Sequence, residues 1–448
     1  MGLISRKTAG LPLLFGLGSI LVFNLLFIKP FFFWLAVLAG LCLTSIFLYQ
    51  PLWGMSLFLA ARVWLDNWGE KNSLKITENF SLGMNALLGI LVSSLLTFFL
   101  IKNRAAWKEI PFKKIWLAIL LVAATSLFFT IDLGWTWREL ARLLSIFLFF
   151  SSAAAIFQKE VTFSQISTPL FLSAILPFAA ALGQMIGQTG LGGTLGLDGR
   201  LFGTFSHPNT FAALVFIVIA AAWLRFSEES APLKKQSWLA LLALSLFLLL
   251  ETFSRGAWLA FLVFLMVLSL FQSPKILWVS FLLFLAAFSF SEDFRFRLQD
   301  VYNPSATGSI QWRVQQWEKG WDSWKEKFWT GWGAGTETMV FEKQYGFYSG
   351  NPYTHNDFLR MGIELGIIGL AVYTGLVATV FFRLFSDYWK ARRPEEKTAA
   401  IFGLALLTAL SFFSLTSNLF RATAVQWSFW FLLAGLLFLK KEKPLIKK

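Results

Sequence analysis

Apolar residues run in long blocks along this chain, separated by short polar or charged segments. The blocks are close to the roughly 20 residues a helix needs to cross a bilayer. They cover residues 11–28, 31–49, 51–66, 81–101, 115–130, 138–157, 168–187, 209–226, 237–252, 255–271, 274–291, 362–384, 398–417 and 424–439. In hydrocarbon the backbone must satisfy its own hydrogen bonds, so each block is read as an α-helix. Several blocks are short, which sets the expectation at about 12–14 spans. The fold class expected is all-α, a polytopic transmembrane helical bundle. Arg6 and Lys7 precede the first run as they would in a signal peptide. No small-residue cleavage site follows and a second span comes directly after, so the run reads as a retained helix.

One stretch breaks the pattern. Residues 291–361 carry both signs of charge, many aromatics and several glycines, and read as a long extracytoplasmic loop. The chain then divides into N-terminal transmembrane helices (1–290), this loop (291–361), and C-terminal helices with a basic cytoplasmic tail (362–448). Within the loop, Trp317, Trp321, Trp324 and Phe328 recur at helical spacing among Glu318, Lys319, Asp322, Lys325 and Glu326. This predicts a short amphipathic helix at the outer interface. For each tryptophan the plainer role is an interfacial aromatic belt; the sharper one is stacking on a sugar ring.

Composition supports the membrane reading. Hydrophobic residues make up 56% of the chain and charged residues 14%, against about 25% charged in soluble domains. The net charge of +14 follows topology: placing 102–114, 225–236, 383–397 and 440–448 in the cytoplasm puts most Lys and Arg inside, with both termini cytoplasmic. These residues flank spans and form no recognisable binding module, so nucleic acid is discarded as a partner. Cys42 has no second cysteine to pair with. With only His207 and His355 and no Asp-x-Asp sequence, no metal site and no cofactor are expected.

The positive-inside bias does not explain Arg200, Arg255, Arg313 and Arg421, which fall on the outer side. Arg200 precedes Pro208 and Asn209, which can open a helix whose free N–H groups favour an anion. Arg255 lies in the tight connection Thr252-Phe253-Ser254-Arg255-Gly256. Its plain role is an ion pair with Glu251, four residues back. Two guanidinium groups held by short segments also suit a diphosphate, because their planar forks match phosphate oxygens. His355, in Tyr353-Thr354-His355-Asn356-Asp357, lies just before a span whose positive end would keep the imidazole neutral. It either caps that helix or accepts a proton from an attacking hydroxyl, with Asp357 or a backbone carbonyl orienting the ring and Asn356 in support. His207-Pro208-Asn209 reads as a turn into a helix and makes His207 at most a supporting residue. Arg138 and Arg142, one helical turn apart, are candidates for donor phosphate or lipid headgroups.

The runs Arg-Leu-Phe-Gly-Thr-Phe-Ser-His-Pro-Asn from Arg200, Ser-Arg-Gly from Ser254, and His-Asn-Asp-Phe-Leu-Arg-Met-Gly-Ile-Glu-Leu-Gly-Ile-Ile-Gly-Leu from His355 resemble the O-antigen ligase and polymerase superfamily. Arg313 with Trp317, and Phe328-Trp329-Thr330-Gly331-Trp332-Gly333-Ala334-Gly335, are similar to the family's loop pattern. The resemblance runs from about Arg200 to Arg421. It implies a metal-independent, inverting glycosyltransferase of the bacterial inner membrane, with its active site on the periplasmic face. Such an enzyme moves a glycan from an undecaprenyl-diphosphate carrier to an acceptor hydroxyl. On this resemblance Arg200 and Arg255 bind the diphosphate, His355 activates the acceptor, and Arg313 contacts donor or acceptor. The expected activity is that of an O-antigen ligase, with the lipid A core as acceptor; the alternatives are a polymerase, with another carrier-linked glycan as acceptor, and a protein O-oligosaccharyltransferase. From a different class, a polyanionic lipid transporter or flippase would line a path with arginines. That class predicts internal repeats and charges deep in many spans, and the chain has no clear repeat.

Overall fold

The computed structural model describes residues 31–77, 80–158, 161–190, 199–290, 295, 309–346 and 353–439. The expected span at 11–28 and the basic tail from 440 lie outside these residues. The described residues are mainly helical: α1 (Phe31–Tyr49), α2 (Pro51–Trp64), α3 (Asp66–Lys71), α4 (Met84–Lys102), α5 (Lys113–Thr125), α6 (Leu133–Phe157), α7 (Phe163–Ile186), α8 (Pro208–Glu228), α9 (Pro232–Glu251), α10 (Arg255–Phe271), α11 (Lys275–Phe290), α12 (Ser309–Glu326), α13 (Glu337–Tyr345), α14 (Asp357–Lys390), α15 (Pro394–Phe413) and α16 (Thr423–Phe438). Between α3 and α4, where the sequence suggests only an outer connection, β1 (Ser73–Thr77) and β2 (Phe80–Gly83) pair as a small antiparallel hairpin.

The helix starts follow local chemistry. Pro51, Pro208, Pro232 and Pro394 open α2, α8, α9 and α15, where the missing N–H costs nothing. Asp132 caps α6 by accepting from Trp135 N at 2.8 Å. Thr162 and Gln165 form a reciprocal capping box on α7.

Every apolar block that falls within the described residues forms a helix. Seven are long and apolar enough to cross a membrane: α4, α6, α7, α8, α9, α14 and α15. The blocks at 51–66, 115–130 and 274–291 become helices of 14, 13 and 16 residues, shorter than a full crossing. In α8 every residue from Phe211 to Ala222 is buried. A helix that is apolar on all faces belongs inside a bundle, and α8 packs against α7, α9, α10, α15 and α16. Around α6 and α16 the packing is aromatic: Phe149 stacks on Trp427 at 4.5 Å, and Trp430 meets Trp116 and Phe150 edge-on at 5.1 and 5.0 Å.

The loop helix α12 forms as its spacing predicts, but much of its aromatic face meets protein. Trp324 is buried beside Gly362 and stacks on Phe328 at 5.4 Å. Trp317 donates its indole N–H to Thr354 O at 2.8 Å. Trp321 stays half exposed and Trp329 exposed.

The loop ends at Asn356 and not at residue 361, because α14 begins at Asp357. Hydropathy places this start too late, since the charged first turns of the helix are buried and paired. The helix also breaks at Gly366, where φ is +66° and ψ −166°. The segment Phe328–Gly333 runs along the break: Trp332 N and Gly333 N donate to Ile363 O and Glu364 O at 2.9 and 2.8 Å, and Ile367 N donates to Phe328 O at 2.9 Å. A Cβ on Gly366 would lie 2.2 Å from Trp329 O, and one on Gly331 2.4 Å from the Glu364 carbonyl carbon. Glycine is required at both positions by backbone angle and by contact.

Gly366→Ala is expected to destabilise the protein by about 3 kcal/mol, since a side chain in this glycine-only region costs up to about 3 kcal/mol before any clash. Thermal melting of the detergent-solubilised protein checks this. An unchanged midpoint would contradict the geometry.

Candidate active site

Several helix ends and connections meet at one end of the bundle. The segment 199–207 leads into α8, Thr252–Ser254 joins α9 to α10, Tyr353–Asn356 precedes α14, and Ser414–Ala422 joins α15 to α16. Asn209, buried in the first turn of α8, ties three of them together. Its Oδ1 accepts from Ser254 Oγ at 3.0 Å and from an Arg200 terminal nitrogen at 3.3 Å, and its Nδ2 donates to Ser417 Oγ at 3.1 Å. Arg200 Nε donates to Thr252 O at 3.0 Å, and Leu201 N to Glu251 O at 3.1 Å. Arg255 follows Ser254 directly as the first residue of α10. The two arginines expected to bind diphosphate are therefore carried by one hydrogen-bonded junction. Sequence reading gave Asn209 no part beyond opening the helix. A buried amide offers both a donor and an acceptor, which lets one side chain serve several segments.

The histidines face each other, with ring centroids 5.9 Å apart. His207 caps α8 by accepting from Asn209 N through Nδ1 at 3.0 Å, as its turn motif suggests. His355 sits at φ +50°, an uncommon angle for a residue with a side chain. Its ring lies 5.4 Å from Trp312 and 6.3 Å from Tyr353.

Both imidazoles are held neutral. Burial, then the Arg313 charge, then His207 bring His355 down to about 3. Burial, then Arg200, then Arg313 bring His207 to about 4. The sequence points to the helix terminus as the cause. In the folded protein burial dominates, and Arg313 on α12 acts on both rings. Arg200, His207, Arg313 and His355 thus share one electrostatic environment. His355 is therefore neutral at physiological pH and lies in the field of the Arg313 guanidinium.

Asp357 does not orient His355. It is fully buried; Oδ2 accepts from Phe420 N at 2.7 Å and Oδ1 faces Arg360 at 3.5 Å. Asn356 caps α14, accepting from Phe358 N and Leu359 N at 3.0 and 3.1 Å. Arg142 is committed to Glu139 and to Phe420 O, the latter at 2.5 Å. Arg138 is exposed over the Trp135 ring at 5.3 Å.

Sequence reading missed the acidic half of this cluster. Glu139 also pairs with Arg360 at 3.3 Å, Glu364 approaches Arg360 at 3.7 Å, and Glu337 approaches Arg421 at 3.6 Å. The available signal was helical charge spacing inside otherwise apolar runs, Glu139 with Arg142 and Arg360 with Glu364. Among the described residues no group of three or more His, Cys, Asp and Glu is arranged to hold a metal ion.

Lowered histidine values fix a pH dependence. Between about pH 4 and 6.5 the unfolded chain binds protons at His207 and His355 that the folded chain does not. Stability therefore rises with pH through this window and is lost as pH falls towards the folded values. Any reaction that needs neutral His355 should keep its rate from pH 8 to 5.5. A pH–rate profile with an acid limb centred near 6.5 would show an ordinary, solvated histidine instead.

Residues 240–374 match the family model Wzy_C, O-antigen ligase. The match contains Arg255, Arg313 and His355, while Arg200 and His207 precede it. No curated protein matches the chain. Residues 240–374 of this multi-pass membrane protein are thus similar to the O-antigen ligase family.

Proposed function

We propose that the protein is an O-antigen ligase-type glycosyltransferase that moves a glycan from an undecaprenyl-diphosphate carrier to the lipid A core. The observation that carries this reading is a neutral His355 in the electrostatic field of Arg313 and beside His207, with Arg200 and Arg255 on the adjoining junction.

In the proposed reaction His355 accepts the proton of an acceptor hydroxyl. The hydroxyl oxygen attacks the anomeric carbon as the bond from that carbon to the diphosphate oxygen breaks. The electron pair leaves with the diphosphate, where Arg200, Arg255 and Arg313 offset the developing charge. Undecaprenyl diphosphate is released. One displacement by one activated oxygen inverts the anomeric centre, and the arginines supply the charge compensation that a metal supplies elsewhere.

Charge distribution supports an outer-facing site. The α8, α10 and α14 starts lie at the site end, as do the α9 and α15 ends. The opposite connections hold Arg225, Lys234 and Lys235, and Lys390, Arg392, Arg393 and Lys397. Positive residues favour the cytoplasm, so the site is assigned to the periplasmic face of the inner membrane. The half-exposed loop helix α12 would cover the bound substrates there.

Purified protein given an undecaprenyl-diphosphate glycan and lipid A core should glycosylate the core. Chain growth from donor alone would identify a polymerase, and no product with either would overturn the ligase reading in favour of a protein acceptor or of transport. His355→Ala should lower the transfer rate by about 100-fold or more, the lower range for a lost general base. Arg200→Ala should lower it by about 100-fold through lost charge stabilisation, with membrane insertion intact. Wild-type rates in His355→Ala would remove this residue as the base.

A further inference from the structure

The chain around His355 is clamped from both sides by residues that have no part in the reaction described above. Glu337, in the first turn of α13, is completely buried. Its Oε1 accepts from Thr354 N at 2.8 Å and from Thr354 Oγ1 at 2.5 Å. The same hydroxyl reaches over His355 to Asn356 O at 3.3 Å. On the opposite edge, Thr354 O accepts from the Trp317 indole. Thr354 therefore has its amide, carbonyl and hydroxyl all engaged, and Asn356 is fixed by capping α14. His355 lies between them in the left-handed region.

A residue at this backbone angle persists only when its surroundings over-determine it. Here the surroundings are one carboxylate oxygen and one indole. The other oxygen of Glu337 faces an Arg421 guanidinium nitrogen at 3.6 Å. That guanidinium also covers the Tyr353 ring at 4.8 Å. Arg421 is thus placed to balance the buried carboxylate and to pack the residue before Thr354. The clamp draws on α12, α13 and the connection between α15 and α16 to set one side chain.

We infer that Glu337, acting through Thr354, is a positioning residue that sets the direction of the His355 imidazole for proton transfer. The inference rests on the reading of His355 as the base. An acceptor hydroxyl must lie within hydrogen-bond reach of the ring when the new bond forms. Displacement by about 1 Å from a change remote from the chemistry can cost about 100-fold in rate. Glu337 touches no substrate in this scheme, so its loss should change turnover and leave substrate affinity alone.

The test measures release of undecaprenyl diphosphate from an undecaprenyl-diphosphate glycan, with lipid A core as acceptor, for four variants beside His355→Ala. Glu337→Ala should lower kcat by about 100-fold with KM for donor and acceptor unchanged. Glu337→Gln keeps an oxygen acceptor for Thr354 and should recover most of the rate. Should Glu337→Ala fail to fold, Thr354→Val carries the test: it removes only the hydroxyl contacts and should lower kcat by about 10-fold, a part of the cost of misplacement. Thr354→Ser should restore it. Glu337→Gln as impaired as Glu337→Ala, an effect confined to KM, or wild-type kcat in Thr354→Val would each overturn the positioning role. Full activity in His355→Ala would instead overturn the base assignment beneath it. An inactive His355→Ala with normal Glu337 and Thr354 variants would sink the positioning role alone.

Discussion

Arg360 is fully buried at the start of α14, with Glu139 of α6 and its own helix's Asp357 and Glu364 around it. A guanidinium in such a place is tolerated only with carboxylates close by, since desolvating a lone charge costs several kcal/mol. That requirement organises the site end of the bundle. Glu139 recruits Arg142, Arg142 takes the carbonyl of Phe420, and Asp357 takes its amide. The connection between α15 and α16 is thereby bound to α6 through the carbonyl of Phe420 and to α14 through its amide. Removing Arg360 would leave three buried carboxylates with one remaining guanidinium, so the cluster specifies geometry more than it adds stability.

With this frame set, the groups proposed to act in the reaction need little structure of their own. The start of α14 carries Asn356 and His355, and the fixed α15–α16 connection presents Ser417 to Asn209 and Arg421 to Glu337. The glycine-rich run after Phe328 lies against the break at Gly366 through backbone bonds, with Trp332 packed beside Ile363 and Ile367. This brings the loop helices back over the site. A long loop would otherwise carry a large ordering entropy; here backbone hydrogen bonds to a helix end offset it and leave Trp321 and Trp329 facing outward.

The chemistry divides by charge. In the proposed reaction Arg200, Arg255 and Arg313 offset the charge of the leaving group, while Glu139, Glu337, Asp357 and Glu364 are buried beside other arginines. Keeping the acids away from the histidines matters, because a carboxylate next to either ring would raise its pKa and fill it with a proton at neutral pH. Burial together with nearby arginines has the reverse effect, and both imidazoles stay available as acceptors.

Much of this protein was legible in the linear chain. The apolar blocks gave the helices, because lipid admits few other backbones. The loop helix followed from its tryptophan spacing. Other features belong to the tertiary structure alone. Asp357 reads like the partner of His355 two residues away, yet an N-cap at Asn356 turns the chain and sends its carboxylate into the Arg360 cluster. Glu337 and Thr354 are 17 positions apart and Arg142 and Phe420 are 278, with no periodicity to connect them. Local pattern determines which segments are helices and which charges are out of place. Which charges meet is decided by how helix ends are brought to a common level, since a buried ion pair depends on distances that spacing along the chain does not encode.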